Sequence, residues 1–387
     1  MTAEATSIRS GERPLDSGAS PDQTALARDV APDGSRGRPE RAQRVVVRLP
    51  AVAHHDPERA HGASRGIEGR PRQWSSESAR GAPPPLVSVI IPTYNHGRYL
   101  RQTVDSVLGQ SYAHRDVIVV DDGSTDATDH ILRSYGEQIR WIRQERQGVS
   151  AARNRGAREG RGELLAFLDA DDWWLPRKLE RQVARWLREP ELGLVHCGES
   201  VIDEAGTLQQ RRVEGLEGWV AEDLLRYERI VVIAPGSTVL LPRAAFEAIG
   251  GFDTQLSTFA DWDFCYRIAV RYRIGCVPEA LVTVRSHTSS MQRNVRAIEH
   301  DMLLAYHKAF RDGAPALRRL RRRCYGHLHM VLAGSFFTTG GRAQGFRHLL
   351  KGLWLTPQQS TRVLGYPLRW WSRRRASGMR CLESKGP

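Results

Sequence analysis

Apolar and polar positions follow two alternating patterns from Leu86 onwards. Short runs such as "LVSVIIPTYN" and "RDVIVVDDGSTD" are β-branched and stop at Pro, Asp or Gly, as strands do. Stretches such as "RYLRQTVDSVLGQ" and "PRKLERQVARWLRE" place their apolar residues at helical spacing. The pattern therefore predicts strands that alternate with helices.

The predicted strands are continuously apolar, which is typical of strands covered by helices on both sheet faces. We therefore expect an α/β fold with a mainly parallel central sheet flanked by helices. Beyond about residue 296 the pattern becomes helical and basic, which predicts a helical C-terminal extension. Residues 1–85 are rich in Gly, Pro, Ser, Arg and Asp, and we expect this segment to be disordered because it buries too little apolar surface.

Two of the predicted strands end in clusters of acids, the first at Asp121 and Asp122 and the second at Asp169, Asp171 and Asp172. Right-handed crossovers bring the carboxyl ends of parallel strands to one sheet edge, where such sheets bind ligands. Two carboxylates about 4 Å apart repel each other by roughly 4 kcal/mol at an effective dielectric near 20. We therefore expect Mg²⁺ or Mn²⁺, together with a phosphate, at this edge. Solvated turn acids are the alternative.

Charge and cysteine content narrow the class of protein. The 387 residues include 57 Lys and Arg against 44 Asp and Glu, a net charge of +13, which predicts affinity for a polyanion such as nucleic acid, an anionic membrane surface or a phosphorylated small molecule. The five Cys residues form no CxxC pair, so neither a disulfide framework nor a zinc site is indicated and a reducing cytoplasm fits. The segments "LRRLRRRC" and "RWWSRRR" combine cations with bulky apolar residues, which suits either an anionic membrane surface or solvated helix faces.

Four segments resemble family 2 glycosyltransferases of the GT-A fold. In chain order they are "VSVIIPTYNHGRYLRQTVDSVLGQSY", "VIVVDDGSTDAT", "GVSAARNRGAREGRGELLAFLDADD" and "GGFDTQLSTFADWDFCYRIA". The resemblance implies metal-dependent, inverting transfer of a sugar from a nucleotide diphosphate sugar, with UDP-sugars favoured, to a glycan or lipid-linked acceptor in surface polysaccharide or glycolipid synthesis. It implies a GT-A catalytic domain at residues 86–295 and a basic helical region at 296–387, on the cytoplasmic side or peripheral at the inner face of the membrane.

The resemblance also assigns the donor site. It implies that Pro92, Thr93 and Tyr94 line the nucleoside pocket and that Asp122 hydrogen-bonds the base. Asp169 and Asp171 match the family's DxD motif. Asp171 is then the expected metal ligand, and Asp169 contacts the ribose, the metal or a metal-bound water.

Further residues are assigned with alternatives. Asp261 holds the position of the general base in the motif, although Ala260 stands where Glu is common, and Asp263 is the second candidate. Helix N-terminal acids without a catalytic role are the alternative for both. His287 is implied as a ligand of the metal or diphosphate, with Ser289 or Ser290 as phosphate donors.

Two residues beside these are interpreted from their position in the sequence. Arg153 is expected at a helix start, where it would neutralise phosphate or be solvated. Asp172 is expected either to cap the helix that follows it, which is the favoured role, or to support the metal ligands from behind.

Other functions remain as alternatives. A nucleotidyltransferase or a dinucleotide enzyme is disfavoured because "IPTYNHGRY" is not a Gly-rich phosphate loop. The non-enzymatic alternative is a basic scaffold protein that associates with a membrane or nucleic acid. On the glycosyltransferase interpretation no nucleic-acid partner is expected.

Overall fold

The computed structural model describes residues 83–287, 294–313 and 315–359. The nine strands in this part of the chain are β1 Val87–Thr93, β2 Arg115–Asp121, β3 Arg140–Arg143, β4 Leu164–Phe167, β5 Trp173–Trp174, β6 Leu192–Ile202, β7 Leu208–Arg212, β8 Leu240–Pro242 and β9 Arg273–Arg285. All nine belong to one sheet.

The described helices are α1 Gly97–Leu108, α2 Thr128–Arg133, α3 Val149–Glu159, α4 Lys178–Arg188, α5 Ala221–Arg226, α6 Pro235–Thr238, α7 Arg243–Ala248, α8 Ala260–Arg271, α9 Val295–Asp312, α10 Arg321–Thr338 and α11 Arg342–Leu355. Short 3₁₀ turns occupy Gly136–Gln138, Pro315–Leu320 and Pro357–Gln359. No helix of the described residues combines the length and the apolar character that crossing a bilayer requires.

The sheet is mixed, and its strand order is β3-β2-β1-β4-β8-β6-β9-β5, with β7 paired to β6. Strands β3, β2, β1 and β4 are parallel neighbours, and β6 is parallel to β9. Strand β8 runs antiparallel between β4 and β6, and β5 and β7 are also antiparallel to their neighbours. The predicted α/β fold is confirmed, and the antiparallel strands are a detail that the apolar pattern did not reveal.

The central strands β1 and β4 are mostly apolar because both faces of the sheet are buried there. In β1, Val89 and Ile91 belong to one hydrophobic core and Ile90 to the core on the opposite face, as the two-residue period of a strand requires. In β4, Ala166 and Phe167 divide between the two cores in the same way.

Helix α9 packs into the same core as the sheet, so the predicted boundary between residues 295 and 296 lies inside one hydrophobic core. Tyr306 of α9 is fully buried, stacks on Trp262 of α8 with ring centroids 4.9 Å apart, and donates a hydrogen bond of 2.8 Å to the Leu225 carbonyl oxygen. Of the predicted disordered segment, all residues before 83 lie outside the described part of the chain.

Candidate active site

The carboxyl ends of β2, β1 and β4 lie side by side at one edge of the sheet. Thr93 at the end of β1 is the register partner of Asp121, and Ile90 is that of Phe167. Both acidic clusters therefore lie at the predicted edge, with β1 between them. Their side chains, however, have different partners.

Asp121 and Asp122 bind the loops next to them. Asp121 accepts a hydrogen bond of 2.8 Å from the Ser124 amide. Asp122 accepts three bonds of 2.8 Å, from the Gln144 side chain and from the amides of Gln147 and Gly148. Gly148 has φ +92°, a left-handed conformation that glycine adopts without strain. Asp121 thus holds the turn that follows β2, and Asp122 holds the loop that leads into α3.

The residues expected to contact a nucleoside lie directly beside this loop. Pro92 and Thr93 are buried within β1, and Tyr94 is half-buried. The guanidinium of Arg146 lies 4.0 Å from the centroid of the Tyr94 ring. Arg146 adds an exposed cation beside the predicted pocket, and the sequence did not single it out.

Asp171 lies beside two histidines. Its Oδ2 is 2.7 Å from Nε2 of the buried His287, and His96 completes a group in which one ligand atom per residue lies within 4.8 Å of the others. His96 is placed by the preceding Asn95, which adopts φ 56°, a left-handed conformation that asparagine tolerates. The Asn95 side chain accepts a hydrogen bond of 2.8 Å from the Thr125 amide, which fixes this turn.

One carboxylate and two imidazoles fit a divalent transition-metal ion better than Mg²⁺, which prefers oxygen ligands. Burial on its own raises the pKa of Asp171, but the hydrogen bond from His287 and the charges of His96 and His287 hold it below its usual value. Within the described residues, this group includes neither Asp121 nor Asp122. The expectation that both clusters share one cation is therefore not supported.

Asp169 belongs to a second network, centred on Arg153. The buried Arg153 guanidinium lies 2.6 Å from Asp169 Oδ1 and 3.2 Å from Asp261 Oδ1. Burial opposes the charge of Arg153, but the two carboxylates raise its pKa above the ordinary value, so the side chain stays protonated. Arg153 is thus buried between two acids, which excludes the solvated alternative.

Asp169 lies outside the group of potential metal ligands among the described residues. Its pKa is raised by burial, and Arg153 opposes that shift while Asp171 and Asp261 add to it. The backbone of α6 approaches it closely, since a Cβ on Gly236 would lie 2.4 Å from Asp169 Oδ2. Only glycine fits at this position without displacing the carboxylate.

Asp172 does not cap the following helix, contrary to the prediction. It is buried and accepts hydrogen bonds of 2.6 Å from the Ser237 hydroxyl and 3.0 Å from the Arg285 amide. Helix α4 begins only at Lys178, and its N-cap residue Arg177 makes no side-chain cap. Asp172 instead ties the DxD segment to α6 and to the end of β9, two residues before His287.

The two candidates for the general base have different surroundings. Asp261, in the first turn of α8, is partly exposed and pairs with Arg153. Asp263 is buried and forms a 2.7 Å ion pair with Arg267 of the same helix, and Arg267 also donates to the Ile249 and Gly251 carbonyls. Asp263 therefore joins α8 to the preceding turn, while Asp261 remains next to Asp169.

Helix α9 fixes the loop in front of Asp261. One oxygen of the buried Asp301 accepts hydrogen bonds of 2.7 Å from the amides of Ser257 and Thr258, and it also accepts from both hydroxyls. This is a positioning contact from beyond the resembling segment. Ser289 and Ser290, expected as phosphate donors, lie outside the described residues.

Comparisons with known proteins bear on the family and the fold. The model of the family described as Glycosyl transferase family 2 matches residues 88–250. An uncharacterized glycosyltransferase of Rickettsia typhi is 32% identical over 206 residues, which are 52% of this chain and 64% of that protein. The chain thus spans less than two thirds of that relative's length.

A putative teichuronic acid biosynthesis glycosyltransferase of Bacillus subtilis is 38% identical over 146 residues, 37% of this chain and 58% of that protein. Among solved structures, a mannosyltransferase from Pyrobaculum calidifontis in complex with GDP-Man and Mn²⁺ superimposes with a TM-score of 0.51 at 21% identity, covering 78% of this chain and 90% of that one. This likeness identifies the fold as GT-A.

Proposed function

We propose that the chain transfers a sugar from a nucleotide diphosphate sugar to an acceptor hydroxyl, with inversion at the anomeric carbon, because the model of glycosyltransferase family 2 matches residues 88–250. The observation that carries this proposal is the meeting of Asp171, His96 and His287 at the carboxyl ends of the parallel strands. The Arg153-bridged pair of Asp169 and Asp261 lies beside them.

The proposed donor site has two parts. Arg146 lies in the loop that Asp122 holds in place, and Tyr94 lies beside it, which suits a nucleoside with its negatively charged phosphates. We propose a UDP-sugar as donor, in agreement with the resemblance noted in the sequence. The known structure with GDP-Man and Mn²⁺ supports a nucleotide sugar as the class of donor.

We propose that Asp171, His287 and His96 hold a divalent cation, and that Mn²⁺ fits this donor set better than Mg²⁺. Such a cation stabilises the charge that develops on the leaving diphosphate. Asp169, on the opposite side of the DxD segment, would accept hydrogen bonds from the ribose or from a metal-bound water. Arg153 holds Asp169 in place for this contact.

Asp261 is the proposed general base. It would take the proton of the acceptor hydroxyl while that oxygen attacks the anomeric carbon from the side opposite the diphosphate. The ion pair with Arg153 fixes the orientation of the Asp261 carboxylate. We assign Asp263 a structural role, because its carboxylate pairs with Arg267 and not with Arg153.

The acceptor is proposed to be a glycan or lipid-linked hydroxyl on the cytoplasmic side, in the synthesis of a surface polysaccharide or glycolipid. The teichuronic acid relative supports the polysaccharide class. The loops that would select a particular acceptor vary independently of the nucleotide site in such folds.

The proposal is tested by transfer and hydrolysis assays on a panel of UDP-, GDP- and dTDP-sugars, with Mn²⁺, with Mg²⁺ and with chelator. Asp261→Asn should lower turnover by at least about a hundredfold, the order expected for loss of a general base. The matched control Asp263→Asn, two residues away on the same helix, should lower stability and leave turnover close to that of the unmodified chain. Full turnover of Asp261→Asn, or loss only in the control, would refute the assignment.

A further inference from the structure

Helix α11 presents three large apolar side chains to solvent. Phe346, Leu350 and Trp354 are 57%, 66% and 77% exposed. They are spaced four residues apart and therefore form one stripe along the helix. Phe337 of α10 extends the stripe, since its ring meets that of Phe346 at 5.1 Å. An exposed apolar patch of this kind marks an interaction surface.

The opposite face of α11 is occupied by its packing on α10. A Cβ on Gly352 would lie 2.8 Å from Met330 Sδ, and one on Gly345 would lie 2.7 Å from the Phe337 ring, so both positions need glycine for the helices to approach. His348, also on this face, is buried and bonds His329 at 2.9 Å. Apart from the contact of Phe346 with Phe337, the apolar stripe therefore lies outside the packing of α11 on α10.

The charge around the stripe is positive. Residues 313–382 contain fourteen Lys and Arg and no Asp or Glu. Arg347 and Lys351 lie next to the stripe, and Arg342 begins the helix; all three are exposed, and within the described residues none of them makes an ion pair.

The basic segment "LRRLRRRC" is engaged differently. Arg319 pairs with Glu222 and Arg323 with Glu228, and Arg322 donates to the Leu355 carbonyl oxygen. Within the described residues, Arg318 and Arg321 of this segment make no ion pair, so they add exposed cations to those of α11. The other basic segment, "RWWSRRR", lies outside the described residues.

We propose that the outward face of α11 docks on an anionic lipid bilayer, with Phe346, Leu350 and Trp354 entering the headgroup region and Arg347 and Lys351 binding lipid phosphates. A helix with an aromatic and aliphatic stripe beside cations is suited to this boundary. Nucleic acid would satisfy the cations and leave the aliphatic Leu350 without a partner.

Two other occupants match the charge less well. The chain's own residues 360–382 contain six Arg and no acid, so they offer nothing that neutralises Arg347 and Lys351. A second copy joined through the same face would bring two sets of these cations together, which is unfavourable.

The test is co-sedimentation of the full chain with vesicles of phosphatidylcholine mixed with phosphatidylglycerol, and with vesicles of phosphatidylcholine alone. We expect binding to the mixed vesicles that weakens with added salt, and little binding to the neutral ones. Phe346→Ser, Leu350→Ser and Trp354→Ser combined should weaken binding at least about tenfold, and Arg347→Gln with Lys351→Gln several-fold.

The matched control replaces Trp219, which is 59% exposed in another part of the chain, by Ser and should bind as the unmodified chain does. Circular dichroism and sedimentation velocity on each variant report folding and oligomeric state. Absence of vesicle binding, equal binding by the folded triple variant, or a dimer that only the triple variant disrupts would overturn the proposal. No donor or acceptor is present, so the result is independent of transfer activity.

Discussion

Asp121 and Asp122 receive their hydrogen bonds mainly from amides of adjacent loops, whereas Asp169 and Asp171 are held by side chains from distant segments. Both pairs follow an apolar strand at the same sheet edge, so they look alike in the sequence. A carboxylate whose hydrogen bonds come from loop amides stabilises the fold. One that faces histidines, arginine and other carboxylates is available for a ligand.

The largest effect expected from this comparison is on catalysis. Asp171→Asn removes the carboxylate that faces His96 and His287, so transfer should fall by at least about a hundredfold. The free energy of unfolding, measured in urea, should change by less than about 1 kcal/mol, because Asn can still accept the hydrogen bonds from His287 and from the amide of residue 171 itself.

Asp129 is half-buried and pairs with Arg133 on α2, and Asp129→Asn is the control for general effects of removing a negative charge. This variant should retain full activity. Near-normal transfer by Asp171→Asn would remove this residue from the mechanism.

For Asp122 we expect the main effect on stability, whereas for Asp171 we expect it on transfer activity. Asp122→Ala leaves the Gln147 and Gly148 amides without their acceptor, so we expect a loss of about 1–3 kcal/mol in the free energy of unfolding. Urea denaturation measures it, with Asp312→Ala on the surface as the control, expected within about 0.5 kcal/mol. An Asp122→Ala variant as stable as the unmodified chain would show that the amides do not need this carboxylate.

The smallest expected effect is on Mn²⁺ affinity, and it tests whether His96 is a metal ligand. His96→Ala should weaken Mn²⁺ binding about tenfold, and titration of Mn²⁺ followed by electron paramagnetic resonance measures the change without any turnover. The exposed His130→Ala should bind Mn²⁺ as the unmodified chain does. Equal Mn²⁺ affinity in His96→Ala would limit the site to Asp171 and His287.

Much of the fold could be predicted from the sequence, because apolar strands and amphipathic helices are local patterns. The sequence also indicated that Asp171 and His287 contribute to one site, through the resemblance. The reversed strand β8, only Leu240–Pro242, was missed because a strand of three residues leaves no period to detect.

The partners of Arg153 and the role of His96 depend on contacts between distant segments. Arg153 meets Asp261 across 108 positions of sequence, and no local pattern encodes such a pairing. His96 could have been found only by noting that a histidine follows the first strand at the edge where the acids were expected. Asp301 was missed because a single acid inside a helical pattern resembles any solvated one.

We propose that one cation is held at the acidic cluster that contains Asp171, and none at the cluster of Asp121 and Asp122. An anomalous difference map from crystals grown with Mn²⁺ and UDP tests it most directly. We predict a manganese peak bounded by Asp171, His287 and His96. A peak between Asp121 and Asp122, or bound UDP without manganese near Asp171, would contradict the claim.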